Sequence, residues 1–346
     1  MRAARFHGVG DLRVEDVERP SIGSDEVLVD VQAASICGSD VNYLDGKTAP
    51  ATAPITLGHE GAGVVSAVGD AVASVETGDR VAIHYIESCG TCRPCSRGND
   101  NRCRNRDSVG HHVDGTFAEY VAVPERSVLA LPDSVSVAEG AVAGCAVATG
   151  YHALERADVT PGDSVVVFGA GGVGLHAVLW ATVRGASQVV AVDVQDAQLD
   201  AAVEYGADLT LNPERHDVLD RIAAATDGWG ADVAVECSGS PDAMADAVDA
   251  VNGANSYESG TVVSVGIQTE DISVGFDDVR EGQLRVSGDH RRSELQEVLT
   301  LLGRDTVDVS PTLTHEVSLD DVQDGVDLVR DSDERVGRVV VDTTNA

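Results

Sequence analysis

Up to about residue 145 the chain reads as short apolar runs broken every few positions by Gly, Pro, Asp or Asn. "EVLVDVQAA", "GAGVVSAVG", "DRVAIHYI" and "FAEYVAV" are the clearest of them. Runs of this length between turn formers predict strands, and their number predicts a β-rich unit. From about residue 150 the texture changes. "SVVVF" (164–168), "QVVAVD", "DVAVECSG" and "TVVSVG" are strand candidates separated by Ala-, Val- and Leu-rich helical stretches. Strands alternating with helices predict a doubly wound parallel sheet, so the fold class expected is α/β with a second, β-rich unit. After about residue 288 the character is mixed again, and "RVGRVVVD" closes the chain as a strand. There is no internal repeat, and no long polar linker separates the halves.

The turn after "SVVVF" carries the first chemical signal. "GAGGVG" places Gly169, Gly171 and Gly174 in G-x-G-x-x-G spacing, between a strand and a helix, with Gly172 and Val173 between them. The first glycine permits the tight turn, the second lets the backbone approach a pyrophosphate, and the third allows close helix–strand packing. The helix N-terminus then offers free N–H groups and the positive end of its dipole. Asp193 ends the next strand, 19 residues after Gly174, where an acid can hold a ribose 2′-hydroxyl. A plain glycine turn with Asp193 as a cap is the alternative. An acid at this place repels a 2′-phosphate, and Val194-Gln195 supply no arginine beside it, which favours NAD over NADP. NADP stays possible because concentrated salt would screen the repulsion.

The seven cysteines supply the second signal. Cys89, Cys92, Cys95 and Cys103 follow C-x2-C-x2-C-x7-C, a spacing with which one short segment closes a tetrahedron around zinc and leaves no open position. The bacterial iron–sulfur run has a shorter last gap followed by proline, and this stretch has neither. A disulfide pair is the alternative. Cys37 in "SICGSD", His59 in "LGHEGAG" and Cys145 in "AGCAVATGYHAL" are scattered. Singly, each reads most simply as a core or packed residue. Together, two thiolates and an imidazole leave zinc one vacant position, as a catalytic site requires. Cys237, just after "DVAVE", reads as core, and His111 and His112 take no role.

Charge changes the picture of the surface. The chain holds 58 acidic and 24 basic residues, for a net charge of −34, and Lys47 is its single lysine. The acids are spread in short pairs such as Asp277-Asp278 and Asp320-Asp321, so this is a folded acidic chain and not an acidic tail. Such a surface argues against binding a phosphate backbone, which needs clustered cations. It resembles proteins of salt-loving organisms, in which concentrated salt screens self-repulsion. No apolar run is long enough to span a membrane, and "MRAARFHGVG" lacks the apolar core of a secretory signal, so a cytoplasmic location is expected.

Taken in order, "CGSD", "GHEGAG", the four-cysteine lobe, "GTFAEYVAVP", "GCAVATGY", "GAGGVG", "ECSG", "VSVG" and "GRVVV" resemble the zinc-dependent medium-chain alcohol dehydrogenases over nearly the whole chain. The resemblance implies a GroES-like catalytic domain from residues 1–148 and 288–346, with a Rossmann domain, 149–287, between the two parts. It implies two zincs per chain: one held by Cys37, His59 and Cys145 with Glu60 able to approach, and a structural one in the lobe at about 87–105. Asp40 would orient His59, and Ser39 would receive the substrate proton. Tyr85 would line the substrate pocket, Thr149 and Gly266 the nicotinamide, and Arg338 would contact cofactor phosphates. Several relatives carry a proton-relaying histidine where this chain has Asn42, which cannot titrate near neutrality. Polyol dehydrogenases often place glutamate where Cys145 stands, which tilts the expectation towards simple alcohols.

The resemblance thus implies reversible oxidation of an alcohol to an aldehyde or ketone by a homo-oligomer, a tetramer before a dimer. A polyol, glucose or threonine dehydrogenase is the nearest alternative, and a zinc- and nucleotide-binding protein without activity is the alternative of another class. The zinc-free quinone-reductase-like branch would have no use for Cys37, His59 and Cys145. If the acidic surface is adapted to salt, melting temperature and activity rise with KCl or NaCl. An unchanged melting temperature and full activity after dialysis into low salt would contradict that expectation.

Overall fold

Glu26–Ile36 is an eleven-residue strand with buried side chains on both faces, which marks a strand at the centre of a sheet. In the computed structural model it is flanked antiparallel by Glu60–Val68, Arg338–Asp342 and Tyr120–Pro124. Arg80–Ile83 and Val128–Ala130 extend the sheet on one side, and Leu313–Ser318 pairs parallel with Arg338–Asp342 on the other, giving seven strands. Asp11–Asp16, Arg2–Gly8 and Ile55–Thr56 form a smaller sheet of three strands. Val29, Val31, Ile36, Val65, Ile83 and Phe117 belong to the common core. The structure describes residues 1–252, 260–267, 271–275, 282–331 and 335–344. Within them the chain forms two units, one from Met1–Ala148 and most of the stretch from His290 onward, the other from Thr149–Asp289.

The second unit is the predicted parallel sheet. Its strands run in the order Leu209–Leu211, Gln188–Val192, Ser164–Phe168, Val233–Glu236, Thr261–Ser264, Gln283–Val286, and all pair parallel. The first strand in sequence, Ser164–Phe168, is buried at all five positions because helices cover both faces of such a sheet. The order reverses next to this strand, where doubly wound sheets bind ligands beyond their carboxyl ends. The helix Gly172–Val183 follows, apolar nearly all round, with Leu175, Val178 and Trp180 buried.

Two glycines of the turn between them have different physical duties. A Cβ on Gly174 would stand 1.8 Å from the Gly169 carbonyl oxygen, so the helix can sit this close to the strand only with glycine there. A Cβ on Gly171 would meet nothing within 4 Å, and its φ of −75° suits any residue. Gly174→Ala is therefore expected to cost about 3 kcal/mol and several degrees of melting temperature. Gly171→Ala should leave thermal unfolding of the protein without nucleotide unchanged, as scanning calorimetry would show.

Candidate metal and dinucleotide sites

Pairing of the strands assembles the first cluster. Ser35 faces Glu60 across one ladder, and Val340 across the other. The residues just beyond those pairs, Cys37, His59 and Arg338, therefore meet at one end of the sheet. Cys37 caps the helix Gly38–Leu44, and Asp40 returns its Oδ2 to the Cys37 N–H at 2.9 Å. Cys145 arrives from the opposite direction. The helix Val137–Val142, started by the Ser136/Glu139 capping box, runs into a π-helical turn, Ala143–Val147. Such turns are frequent at functional sites, and this one is wholly buried. Gly144 lets it approach strand Arg80–Ile83, since a Cβ there would stand 2.7 Å from the Ile83 carbonyl oxygen.

The result is a group of Cys37, His59, Glu60 and Cys145 with donor atoms all within 4.8 Å of one another. Glu60 is fully buried, and neither of its carboxylate oxygens has a hydrogen-bond partner among the described residues. Arg338 Nη2 lies 3.2 Å from Glu60 Oε1, close but not aligned for a hydrogen bond, while Nη1 donates to the Ile36 carbonyl at 3.3 Å. Burial pushes the Glu60 carboxyl up to about 7 against the pull of Arg338. The hydrogen bond from Cys145 holds the Cys37 thiol well below its usual range against burial, with Arg338 and His59 assisting. The same bond, burial and the Cys37 charge push Cys145 well above it. Burial disfavours a charged His59, but the charge and hydrogen bonding of Asp40 and Cys37 raise it well above the imidazole range. Asp40 Oδ1 lies 3.5 Å from His59 Nδ1, so Nε2 is the nitrogen left for a metal. Two thiols, one half-buried and one buried, with an imidazole and a buried carboxylate, form a donor set that fits a zinc ion.

Of the other residues read from sequence, Tyr85 is nearly buried and sets its ring edge-on to His59, centroids 5.4 Å apart. Ser39 and Asn42, both half-buried, ride on the helix Gly38–Leu44 next to Asp40. Sequence reasoning passed over His84, Asp100 and His290, a buried hydrogen-bonded chain beside Tyr85. Spacing carried no signal for it, because the three come from segments up to 206 residues apart. Nor did it find Tyr43, whose hydroxyl is 2.7 Å from His111 Nδ1.

The four-cysteine lobe is built locally. Ile86–Glu87 and Asp107–Ser108 pair at its base, and two 3-10 turns, Cys95–Arg97 and Asp100–Arg102, carry the chain round. Its sulfurs also lie within 4.8 Å of one another, with neighbours 3.4–3.8 Å apart, too far for a disulfide and suited to one shared ion. The N–H groups of Thr91 and Cys92 point at Cys89 and hold its thiol at about 6. Burial and the neighbouring thiols push Cys95 up to about 12. Four sulfurs around one point close a tetrahedron, so this site has room for a metal and none for substrate.

In the second unit Asp193 Oδ2 accepts the Ala170 N–H at 2.8 Å, and Oδ1 the Gln195 N–H at 2.8 Å, tying the strand-end acid to the glycine turn. Burial pushes its carboxyl up against these bonds. Gly171, with open space where a Cβ would be, leaves the backbone approachable by a phosphate, so the cradle fits a dinucleotide. Gly266 lies against Gly239, where a Cβ would stand 2.2 Å from the Gly239 nitrogen. Thr149 precedes Gly150, which packs on the helix Gly172–Val183 at His176.

The chain matches two family descriptions: an alcohol dehydrogenase GroES-like domain over residues 23–133, and a zinc-binding dehydrogenase over residues 172–304. It is 32% identical to sorbitol dehydrogenase of Bacillus subtilis, over 94% of this chain and 93% of that one. It is 34% identical to L-threonine 3-dehydrogenase of Bacillus velezensis, over 95% of this chain and 94% of that one. Among solved structures it resembles the alcohol dehydrogenase of Thermus sp. ATN1, with a TM-score of 0.90 at 28% identity and 99% coverage of both chains.

Atomic emission on the purified protein is expected to find two zincs per chain. Cys37→Ser or His59→Ala should leave one, and Cys95→Ser should lower the melting temperature while the Cys37 cluster stays loaded. A Cys95→Ser protein of unchanged stability that lost only turnover would reverse the roles of the two clusters.

Proposed function

The chain belongs to the zinc-dependent medium-chain dehydrogenase/reductase family, and we propose that it reversibly oxidises a simple alcohol to an aldehyde or ketone with NAD. The grouping of Cys37, His59 and Cys145, two thiols and one imidazole, carries the reading. These three would hold a zinc that supplies Lewis-acid stabilisation of an alkoxide, and Gly169–Gly174 with Asp193 would hold a nicotinamide dinucleotide that takes the hydride. Asp40 Oδ1, 3.5 Å from His59 Nδ1, would draw the ring proton to that nitrogen and leave Nε2 for the metal. Ser39 Oγ accepts the alcohol proton in a hydrogen bond. Asn42 can relay a hydrogen bond but not a proton, so the proton leaves through water or cofactor hydroxyls. Arg338, expected from the sequence to contact cofactor phosphates, is instead buried with its guanidinium beside Glu60, where it would offset the charge of that carboxylate. Tyr85 forms a wall of the substrate's place. Asp193 takes the ribose hydroxyls, which favours NAD over NADP. The acidic surface with its single lysine supports concentrated salt as the working medium.

A second reading, a polyol or threonine dehydrogenase, draws support from the names of the relatives at 32% and 34% identity. Cys145 in place of a glutamate favours simple alcohols. A steady-state panel of simple alcohols, sorbitol, xylitol and threonine, each with NAD and NADP, separates the two. Turnover of simple alcohols with NAD is expected, and turnover confined to sorbitol or threonine would transfer the assignment. His59→Ala should reduce turnover below detection while calorimetry still finds NAD bound. Gly171→Ala should weaken NAD binding without touching zinc content.

A further inference from the structure

Strand Arg80–Ile83 continues directly into His84 and Tyr85. His84 and His290 are both essentially inaccessible, and Asp100 is nearly so. His84 Nε2 is 3.1 Å from Asp100 Oδ2, and His84 Nδ1 is 3.1 Å from His290 Nε2. The same Asp100 oxygen accepts the N–H of Arg292, the first residue of the helix Arg292–Gly303, at 3.1 Å. An ionised carboxylate only accepts, so His84 donates through Nε2, and the orientation of its ring is fixed from the Asp100 side. Burial would lift the Asp100 carboxyl, but His84 and the Arg292 N–H hold it below the ordinary range.

Tyr85 lies between this chain and the metal cluster. Its ring meets His290 edge-on at 5.4 Å and 78°, and His59 edge-on at 5.4 Å and 79°. Asp100 itself stands in the cysteine lobe, and its carbonyl receives the Cys103 N–H at 2.9 Å. A core built only for packing would use apolar side chains at these three places. Burying two imidazoles and a carboxylate is costly unless each is held, and groups held in this way have defined orientations.

We propose that Asp100, His84 and His290 are positioning residues that set the Tyr85 ring beside His59, so that the cysteine lobe fixes one wall of the substrate site. The proposal rests on the reading above that Tyr85 borders the alcohol.

The zinc-loaded protein tests it through Asp100→Ala, Asp100→Asn and His290→Phe. Asp100→Asn keeps an oxygen acceptor, while His290→Phe keeps a ring and loses the hydrogen bond. Asp100→Ala and His290→Phe are expected to raise KM for the best alcohol about tenfold while kcat changes less than about twofold, and Asp100→Asn to restore KM. In protein labelled with 13C-tyrosine, the Tyr85 ring signal, assigned with Tyr85→Phe, should move in Asp100→Ala and His290→Phe and return in Asp100→Asn. If Asp100→Ala does not fold, His290→Phe decides. An unmoved Tyr85 signal, or a wild-type KM with a lowered melting temperature, overturns the proposal and leaves a packing role. If the wild type oxidises no alcohol, the functional reading fails by itself, and the Tyr85 signal alone decides whether the positioning chain exists.

Discussion

Ser35 faces Glu60 across one ladder and Val340 across the other, and the first metal cluster depends on that double register. Side chains alternate along a strand, so a slip of one residue in either ladder would turn Glu60 or Arg338 to the opposite face. What resists the slip is packing. Val29, Val31 and Ile36 are fully buried in one cluster, and moving the register by one would turn them out of the contacts they make there. The apolar residues that hold the central strand in place therefore also hold Cys37 against His59. Stability and site geometry here share one cause, and a core substitution in Glu26–Ile36 would act on both.

The two clusters of sulfur ligands solve opposite problems. The lobe gathers four thiols from a stretch of 15 residues, so little chain entropy is lost in bringing them together, and two tight turns suffice. Cys37, His59 and Cys145 are far apart in sequence and come together only once the sheet and the π-helical turn have formed. A locally built site closes around its ion. A site assembled from distant elements can leave one side open, because each element is anchored elsewhere.

The same distinction governs what could be read before the fold was known. The strands of the parallel sheet, the glycine turn with Asp193, and the four-cysteine spacing are local patterns, each contained in a stretch of 25 residues or fewer. The joint site of Cys37, His59 and Cys145 was only one option on spacing and became the favoured one through the ordered family motifs. Three features had no sequence signal. The π-helical turn at Ala143–Val147 depends on Gly144 meeting the Ile83 carbonyl, a tertiary contact. Arg338 against Glu60 depends on the strand register. The chain Asp100, His84 and His290 depends on where the polypeptide re-enters the first unit, far downstream of the other two residues. Each is a pairing between distant segments, and hydrophobic periodicity carries no information about such pairings.

The charges of the first cluster bring these threads together. Cys37 and Cys145 are in hydrogen-bond contact, with Cys37 pulled towards the thiolate and Cys145 pushed away from it. Two adjacent thiols resist ionising together while no cation stands between them, because each charge raises the cost of the other. Glu60, held up to about 7, adds a third acid to the same small volume, and Arg338 is the fixed cation that faces it. A divalent ion entering among these donors must displace the proton on Cys145. Protons and a metal would therefore compete for one set of atoms, while Arg338 faces Glu60 in either case. A buried arginine beside a buried glutamate would be a poor choice for stability alone, since desolvation offsets much of the attraction. Next to a cluster in which protons would give way to a cation, it would be the charge that stays constant while the others change.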